Sequence, residues 1–231
     1  LARLALGFAL RRQADLWKSQ TYTDKQADTF FRDAERELVE AKEVFKSQVN
    51  EPMRLIEVYD ELGSLYCDWA WLVQVESRKA RSQSQKRELW SRSEQLYGQA
   101  EDYLQQAAKL ADEKELTLQG VDALDDLSQV YYDRSQLYET DDERRNHYAR
   151  EGDALLTKIM EAAPKEYRLT QRGLQRSADA QEEWWLALGK VELSQGVRTL
   201  RQAMTHDVSI VGKNRLVRNA AQHYAAAVAY F

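Results

Sequence analysis

Apolar residues recur at spacings of three and four along almost the whole chain, which is the periodicity of amphipathic α-helices. Only 2 prolines and 9 glycines occur among 231 residues. An all-β chain of this length needs many tight turns, and such turns normally use both residue types. Hydrophobic residues make up 43% of the chain, which is enough to bury a sizeable core. The sequence therefore predicts an all-α protein of long helices.

Local start and stop signals divide the chain into about eight helices. Capping boxes, in which a side-chain oxygen accepts an orphan backbone N–H, are predicted at Thr23 with Gln26, Asp112 with Glu115, and Thr140 with Glu143. Pro52 is typical of a first helical turn, and Pro164 marks a helix end. Helices are predicted over about 1–19, 24–48, 52–80, 84–111, 114–139, 141–162, 166–195 and 197–231, with a loop over 207–214.

Two residue patterns alternate along these helices. In the first, Leu62, Gly63 and Tyr66 lie three, four and seven residues after Tyr59. The same offsets recur at Leu127, Ser128 and Tyr131, at Leu188 and Gly189 after Trp185, and at Leu6, Gly7 and Leu10. The second pattern consists of Ala34–Leu38–Ala41, Ala100–Leu104–Ala107, Gly152–Leu156–Ile159 and Ala220–Tyr224–Ala227. Small residues let two helices approach closely, and the larger ones fill the groove beside them.

The alternation resembles the tetratricopeptide repeat family, whose first helix carries aromatic-x-x-Leu-Gly-x-x-Tyr and whose second carries Ala-x-x-x-Phe-x-x-Ala. The resemblance covers four helix pairs, roughly 1–48, 52–111, 114–162 and 166–231, as a single domain over 1–231. It implies antiparallel pairs stacked as a right-handed α-solenoid whose first helices line a concave face. The units span about 60 residues instead of the family's 34, so each helix is extended. A plain bundle of long antiparallel helices is the alternative.

The resemblance also implies which residues point into the groove. Acidic candidates for partner binding are Asp60, Glu61, Asp68, Asp122, Asp125, Asp126 and Asp133; further positions are Arg11, Arg12, Ser64, Gln129, Glu183, Lys190 and Ser194. An acidic groove favours a basic ligand. Members of the family that grip a peptide carboxylate use Lys, Arg and Asn there, so that activity is not expected. The alternative is that these acids form a solvated helix face.

The residues give little support to catalysis or metal binding. Adjacent carboxylates such as Asp125 and Asp126 point about 100° apart on a helix, and no histidine is near them in sequence. The histidines, His147, His206 and His223, form no i, i+4 ligand pair. Cys67 lies among apolar neighbours and is predicted to be a buried structural thiol. We therefore predict no catalytic residue, no metal and no cofactor.

A basic tail forms the second candidate surface. From position 196 onward the chain carries one acid and five basic residues, which are Arg198, Arg201, Lys213, Arg215 and Arg218. They are candidates for contact with phosphate or an acidic partner. The net charge of −5 argues against a general nucleic-acid binder. No run of about 20 apolar residues is present, so no membrane span is expected.

These observations favour a non-catalytic, cytoplasmic scaffold that binds a protein or peptide through the concave face. The alternative is a sensor or regulatory domain of a larger signalling ATPase or protease assembly. Both ends of the chain are apolar, and repeats need neighbours to bury their faces. We therefore expect a fragment of a longer protein, with other domains of the same polypeptide as further partners. Close pairs of tryptophans, Trp69 with Trp71 and Trp184 with Trp185, are expected in core or inter-repeat packing.

Overall fold

The computed structural model describes residues 1–16, 23–47, 51–138, 141–162, 182–203 and 209–230, without the side chains of 182–187, 201 and 202. Within these ranges it contains eight α-helices and no strand, which confirms the all-α prediction. The helices are α1 (Ala2–Asp15), α2 (Asp24–Lys46), α3 (Pro52–Lys79), α4 (Gln83–Glu113), α5 (Thr117–Ser135), α6 (Asp142–Ala162), α7 (Glu182–Ala203) and α8 (Ile210–Tyr230).

The chain forms two compact units, Leu1–Gly152 and Asp153–Phe231. In the first unit each helix from α1 to α4 packs against the next, and α3 also contacts both α1 and α5. In the second unit α7 packs against α8. We call α1, α3, α5 and α7 the A-type helices and α2, α4, α6 and α8 the B-type helices. Consecutive packing in neighbouring pairs is the arrangement of a solenoid-like all-α fold and is compatible with a helical repeat.

Several predicted helix starts are confirmed. Thr23 and Gln26 form the complete capping box at α2, and Pro52 occupies the first turn of α3. Helix α4 begins at Gln83, one residue before the predicted start, and its N-cap Ser82 accepts a hydrogen bond from the Gln85 backbone N–H. Each contact satisfies a backbone group that the helix itself leaves without a partner. Thr140 and Pro164 lie outside the described residues, as does the predicted helical stretch 166–181.

The junction between α4 and α5 differs from the predicted capping box at Asp112. Glu115 adopts a left-handed conformation with φ of 57°. The Leu116 N–H donates to the Ala111 carbonyl at 2.8 Å, and the Glu115 N–H donates to that of Asp112 at 3.1 Å. These two bonds form a Schellman motif, with Leu116 packed on the core cluster that includes Ala111. Asp112 therefore lies within α4, whose C-terminus is closed by this motif.

The helix bounds in the second unit also correct the sequence prediction. Helix α7 continues through Gly196 to Ala203 instead of ending at 195. Helix α8 begins at Ile210, inside the segment predicted as a loop, and the Gly212 N–H donates to Ser209 Oγ at 3.2 Å. Gly196 lies inside α7 and faces Tyr224 of α8. The Tyr224 ring would lie 3.0 Å from a Cβ added to this glycine.

Glycine on an A-type helix meets leucine on a B-type helix in each of the first two pairs. A Cβ added to Gly7 would lie 2.6 Å from Leu38 Cγ, and one added to Gly63 would overlap Leu104 Cγ. Both leucines are fully buried. The two alternating sequence patterns thus meet at the crossing point of each pair. In the last pair Gly196, seven residues after the expected Gly189, makes the close approach to Tyr224.

We expect Gly63→Ala to lower the free energy of unfolding by about 1–3 kcal/mol, because the new methyl group forces α3 and α4 apart at Leu104. Gly98 on α4 has open space at its Cβ position. Gly98→Ala is therefore the matched control and should raise stability by about 0.5–1 kcal/mol through helix propensity. Urea titration followed by circular dichroism measures both. Equal stability of the two variants would contradict the close approach.

Candidate functional site

Arg11 joins the first two A-type helices. Its Nε donates to Glu61 Oε2 at 3.0 Å and its Nη1 donates to Asp68 Oδ2 at 2.9 Å. The two acids lie seven residues apart on α3, so both project from one side of that helix. The Arg11 side chain is only 9% exposed. Water screens such a pair little, and losing the cation would leave two carboxylates without their partner.

The next pair of A-type helices is joined by polar contacts as well. Ser64 Oγ donates to Asp126 Oδ2 at 2.6 Å, from α3 to α5. Further along the same two helices, Cys67 Sγ on α3 lies 4.0 Å from Asp133 Oδ2 on α5, and both residues are buried. The predicted burial of the Cys67 thiol is confirmed.

Asp60 carries the strongest electrostatic perturbation in this layer. Its Oδ1 is buried and accepts no hydrogen bond. Burial raises the pKa of Asp60 well above its usual range, and the nearby carboxylates of Asp126, Glu61 and Asp122 raise it further. Burial also raises the pKa of Glu61, against the opposing effect of Arg11. Burial and the repulsion among these carboxylates thus both disfavour the charged form of Asp60.

A groove of about 250 Å³ opens between α1, α3 and α5. Leu104 and Val130 lie beneath it, and both are fully buried. Its polar lining consists of Arg11, Arg12, Ser64, Cys67, Asp68, Asp126 and Gln129. Arg12 is exposed and places its guanidinium group over the Phe8 ring at 5.2 Å. The groove thus combines guanidinium, carboxylate and amide groups on an apolar floor.

The structure brings the predicted acidic residues together but gives them different surroundings. Glu61 and Asp68 face Arg11, Asp126 accepts from Ser64, and Asp133 is buried. Asp60 and Asp125 are half-buried, whereas Asp122 is exposed. The acids are therefore partly structural; Asp68 and Asp126 line the groove, and Asp122 is the most exposed of the set.

The predicted basic tail does not form one surface. Arg198 is buried in α7, with Nη1 3.7 Å from Asp153 Oδ1. Arg215 and Arg218 are exposed on α8, and Lys213 is half-buried there. The Arg201 side chain lies outside the described residues, as do those of Glu183, Trp184 and Trp185.

Acids on the B-type helices fix the following A-type helix, which sequence reasoning missed. Tyr66 Oη donates to Glu35 at 2.6 Å, and Tyr131 Oη donates to Glu101 at 2.7 Å. Glu35 and Glu101 each follow the first alanine of the second pattern, Ala34 and Ala100. That shared position could have predicted their equivalent roles. Arg134 adds ion pairs to Glu94 and Glu101.

Tryptophan and histidine side chains have structural contacts. Trp69 Nε1 donates to Asp28 Oδ1 at 2.8 Å and its ring stacks on Phe31, which confirms inter-repeat packing. His223 Nδ1 lies 2.7 Å from Glu192 Oε2. Across the described ranges no group of three or more His, Cys, Asp or Glu residues is placed to hold a metal ion. No helix in that part of the chain is long and apolar enough to cross a membrane.

Comparison of the chain with protein-family models, with curated protein sequences and with solved structures finds no match.

Replacing Arg11 by Met should lower the free energy of unfolding by about 3 kcal/mol at pH 7, because Glu61 and Asp68 lose their counter-ion in a half-buried layer. Arg12→Met, at the next and exposed position, is the matched control and should change stability by no more than about 0.5 kcal/mol. Urea unfolding of both variants measures the difference. A loss for Arg11→Met no larger than the control's would show that the ion pairs are not stabilising.

Asp60→Asn should raise stability at neutral pH. The pKa of Asp60 is raised in the folded chain. The contribution of Asp60 to the free energy of unfolding is therefore fully present below the unfolded pKa of about 3.9 and is lost as the pH rises toward the folded pKa. Asparagine does not titrate, so the variant avoids this loss of stability. The loss amounts to about 1.4 kcal/mol for each pH unit between the two pKa values. Urea titrations from pH 4 to pH 8 should show variant and wild type converging at the acidic end. Asp102→Asn, on the exposed side of α4, should run parallel to wild type, and parallel curves for Asp60→Asn would refute the assignment.

Proposed function

We propose that the chain is a non-catalytic scaffold that binds a protein or peptide partner along the groove between its A-type helices α1, α3 and α5. The observation that carries the proposal is the groove itself, which adjacent helices line with charged and amide groups above apolar side chains. Extended peptides are recognised by surfaces of this kind, where a few polar groups set orientation. The proposal includes a tetratricopeptide-like repeat, supported by the Gly7–Leu38 and Gly63–Leu104 contacts.

The charge of the groove favours a partner with a basic segment. Its lining holds the carboxylates of Asp68 and Asp126 and the guanidinium groups of Arg11 and Arg12, and three further carboxylates lie close to Asp126 or to one another, those of Asp60, Glu61 and Asp122. Arg11 is already engaged by Glu61 and Asp68. An incoming Lys or Arg beside Asp122 and Asp126 would offset the repulsion among the remaining acids and would be steered by the same field. We expect the protein to act in the cytoplasm, in signalling or assembly.

Catalysis is not part of the proposal. The one thiol, Cys67, is buried, and its Sγ lies 4.0 Å from Asp133 Oδ2 on α5. Tyr66 and Tyr131 have pKa values raised above the usual range, chiefly by burial and then by their carboxylate partners, so both hydroxyls stay protonated donors. These groups serve helix packing.

A selection of random 12-residue peptides displayed on phage tests the proposed groove. Peptides recovered on the wild-type chain should be enriched in Lys and Arg and should lose at least tenfold in affinity for an Asp122→Lys/Asp126→Asn variant. The reason is that these substitutions remove one negative charge from the lining of the groove and another from the neighbouring acids. Fluorescence anisotropy with the selected peptides measures the affinities.

The matched control is Glu88→Lys/Asp102→Lys, which changes charge at two exposed positions of α4. It should change the affinity by no more than about twofold, because dissolved salt screens exposed charges that lie far from the binding site. Selection of acidic peptides, or equal loss in both variants, would refute the acidic groove as the binding site.

A further inference from the structure

A cavity of about 290 Å³ opens in the second unit, between α6, α7 and α8. Its lining includes Asp153, Leu156 and Thr157 of α6, Arg198 and Thr199 of α7, and His223 of α8. Asp153 and Thr157 are exposed, so the cavity is open to solvent along α6. Leu156 and Arg198 are buried and form its inner wall.

Helices α7 and α8 share a register with α3 and α4 of the first unit. Gly196 on α7 faces Tyr224 on α8, just as Gly63 on α3 faces Leu104 on α4. Aligning the two glycines, and the two large residues that face them, therefore aligns both helix pairs at their closest approach.

A second contact agrees with this register. It places Glu192 at the position of Tyr59 and His223 at the position of Tyr103. The rings of Tyr59 and Tyr103 lie 6.1 Å apart, and Glu192 Oε2 lies 2.7 Å from His223 Nδ1. The residues that meet in the first unit thus have counterparts that meet in the second.

Helix α6 corresponds to α2 in the same comparison. The second sequence pattern begins at Gly152 on α6 and at Ala34 on α2, which puts Asp153 at the position of Glu35. Glu35 accepts a hydrogen bond from the hydroxyl group of Tyr66 on α3. Asp153 therefore offers a carboxylate at the position where the first unit binds a phenol.

The cavity occupies the position of a tyrosine ring in this register. In the first unit that ring belongs to Tyr66, which stacks on Tyr103 at 5.7 Å. The residue of α7 at this position is Thr199, which has no ring. The counterparts of the hydrogen-bond acceptor and of the stacking partner, Asp153 and His223, both line the cavity.

The same tyrosine recurs on α5. Tyr131 is in register with Tyr66, and its hydroxyl donates to Glu101 at 2.7 Å. Both tyrosines are buried. Three A-type helices follow a B-type helix, and two of them, α3 and α5, fill this position with a phenol ring, whereas α7 has Thr199 and a cavity.

The polar groups of the cavity favour a hydrogen-bond donor over an anion. The hydroxyl groups of Thr157 and Thr199 donate to backbone carbonyls of their own helices, so each offers its oxygen as an acceptor to a ligand. Asp153 adds a carboxylate, and its Oδ1 lies 3.7 Å from Arg198 Nη1. An incoming anion would be repelled by Asp153 and would compete with it for Arg198.

We propose that the cavity binds a phenol group, carried by a small molecule or by a tyrosine side chain of a partner protein. The ring lies against Leu156 and His223, and the hydroxyl group donates to Asp153. Pockets that combine an apolar wall with a few polar groups bind small ligands in this way. The cavity lies in the second unit and the groove of α1, α3 and α5 in the first, so neither proposal depends on the other.

Titration of the isotope-labelled full chain with p-cresol and with toluene, followed by NMR, tests the proposal. p-Cresol carries the ring and hydroxyl group of tyrosine, and toluene carries the ring alone. p-Cresol should bind about fivefold more tightly or better, because its hydroxyl group donates a charge-assisted hydrogen bond to Asp153. Asp153→Asn should reduce this preference to about twofold, since an amide oxygen is a weaker acceptor than a carboxylate.

Thr199→Tyr restores the residue that α3 and α5 carry and should fill the cavity with a ring of the chain itself. It should abolish p-cresol binding and raise the thermal midpoint by about 2–4 °C. Thr199→Leu obstructs the same space with a smaller side chain and should weaken p-cresol binding about fivefold. The test therefore does not depend on the folding of the tyrosine variant.

The matched control is Thr29→Tyr, at an exposed position of α2. Thr29 and Thr199 each donate a hydroxyl hydrogen bond to the carbonyl four residues earlier, so both variants lose the same intrahelical contact. Thr29→Tyr should bind p-cresol with the affinity of the wild-type chain.

A glycine-flanked tyrosine peptide distinguishes the two sources of the phenol. Tighter binding of the peptide than of p-cresol would assign the cavity to a partner's side chain, and weaker binding would assign it to a small molecule.

Four outcomes would overturn the proposal. They are the absence of saturable p-cresol binding, equal affinity for p-cresol and toluene, and unchanged p-cresol binding in both Thr199 variants. The fourth is tighter binding of 4-methylbenzoate than of p-cresol, which would make the cavity an anion site.

Discussion

A leucine side chain in the space left by a missing Cβ holds each of the first two helix pairs together. Leu38 fills the space beside Gly7, and Leu104 fills that beside Gly63. Because the backbones approach so closely, alanines on the same stripe of the B-type helix can be fully buried, as Ala34 and Ala100 are. Each pair therefore behaves as a two-helix block. Stacking these blocks leaves the A-type helices α1, α3 and α5 side by side, and that placement allows Arg11 to reach α3.

Carboxylates have two roles in this stack, and the distinction decides what the groove can bind. On the B-type helices Glu35 and Glu101 accept hydrogen bonds from tyrosines of the next block, and these bonds hold neighbouring blocks together. On the A-type helices the acids crowd one another, and Asp60 responds with a raised pKa. In this layer Arg11 neutralises Glu61 and Asp68, while burial disfavours the charged form of Asp60. Both effects reduce the negative charge that the layer can offer to a cation. The most exposed of these acids is Asp122 on α5.

Local patterns were sufficient to predict the helices and the pairing of α1 with α2, α3 with α4 and α7 with α8. Long-range contacts explain what could not be predicted. Thr23 and Gln26 are three residues apart, so their capping box follows from the sequence alone. The end of α4 does not, because the left-handed Glu115 depends on Leu116 packing against the core. Arg11 and its acids are separated by 50 and 57 residues. No spacing rule links them, and the sequence showed acids near one another without showing which of them already has a cation.

The repeated pattern also shows how α8 differs from α2 and α4. When the helices are aligned on Ala34, Ala100 and Ala220, the position of buried Phe31 and Tyr97 holds exposed Val217. The position of Glu35 and Glu101 holds Ala221. Helix α8 therefore lacks the carboxylate with which α2 and α4 accept a hydrogen bond from a tyrosine of the helix that follows each of them.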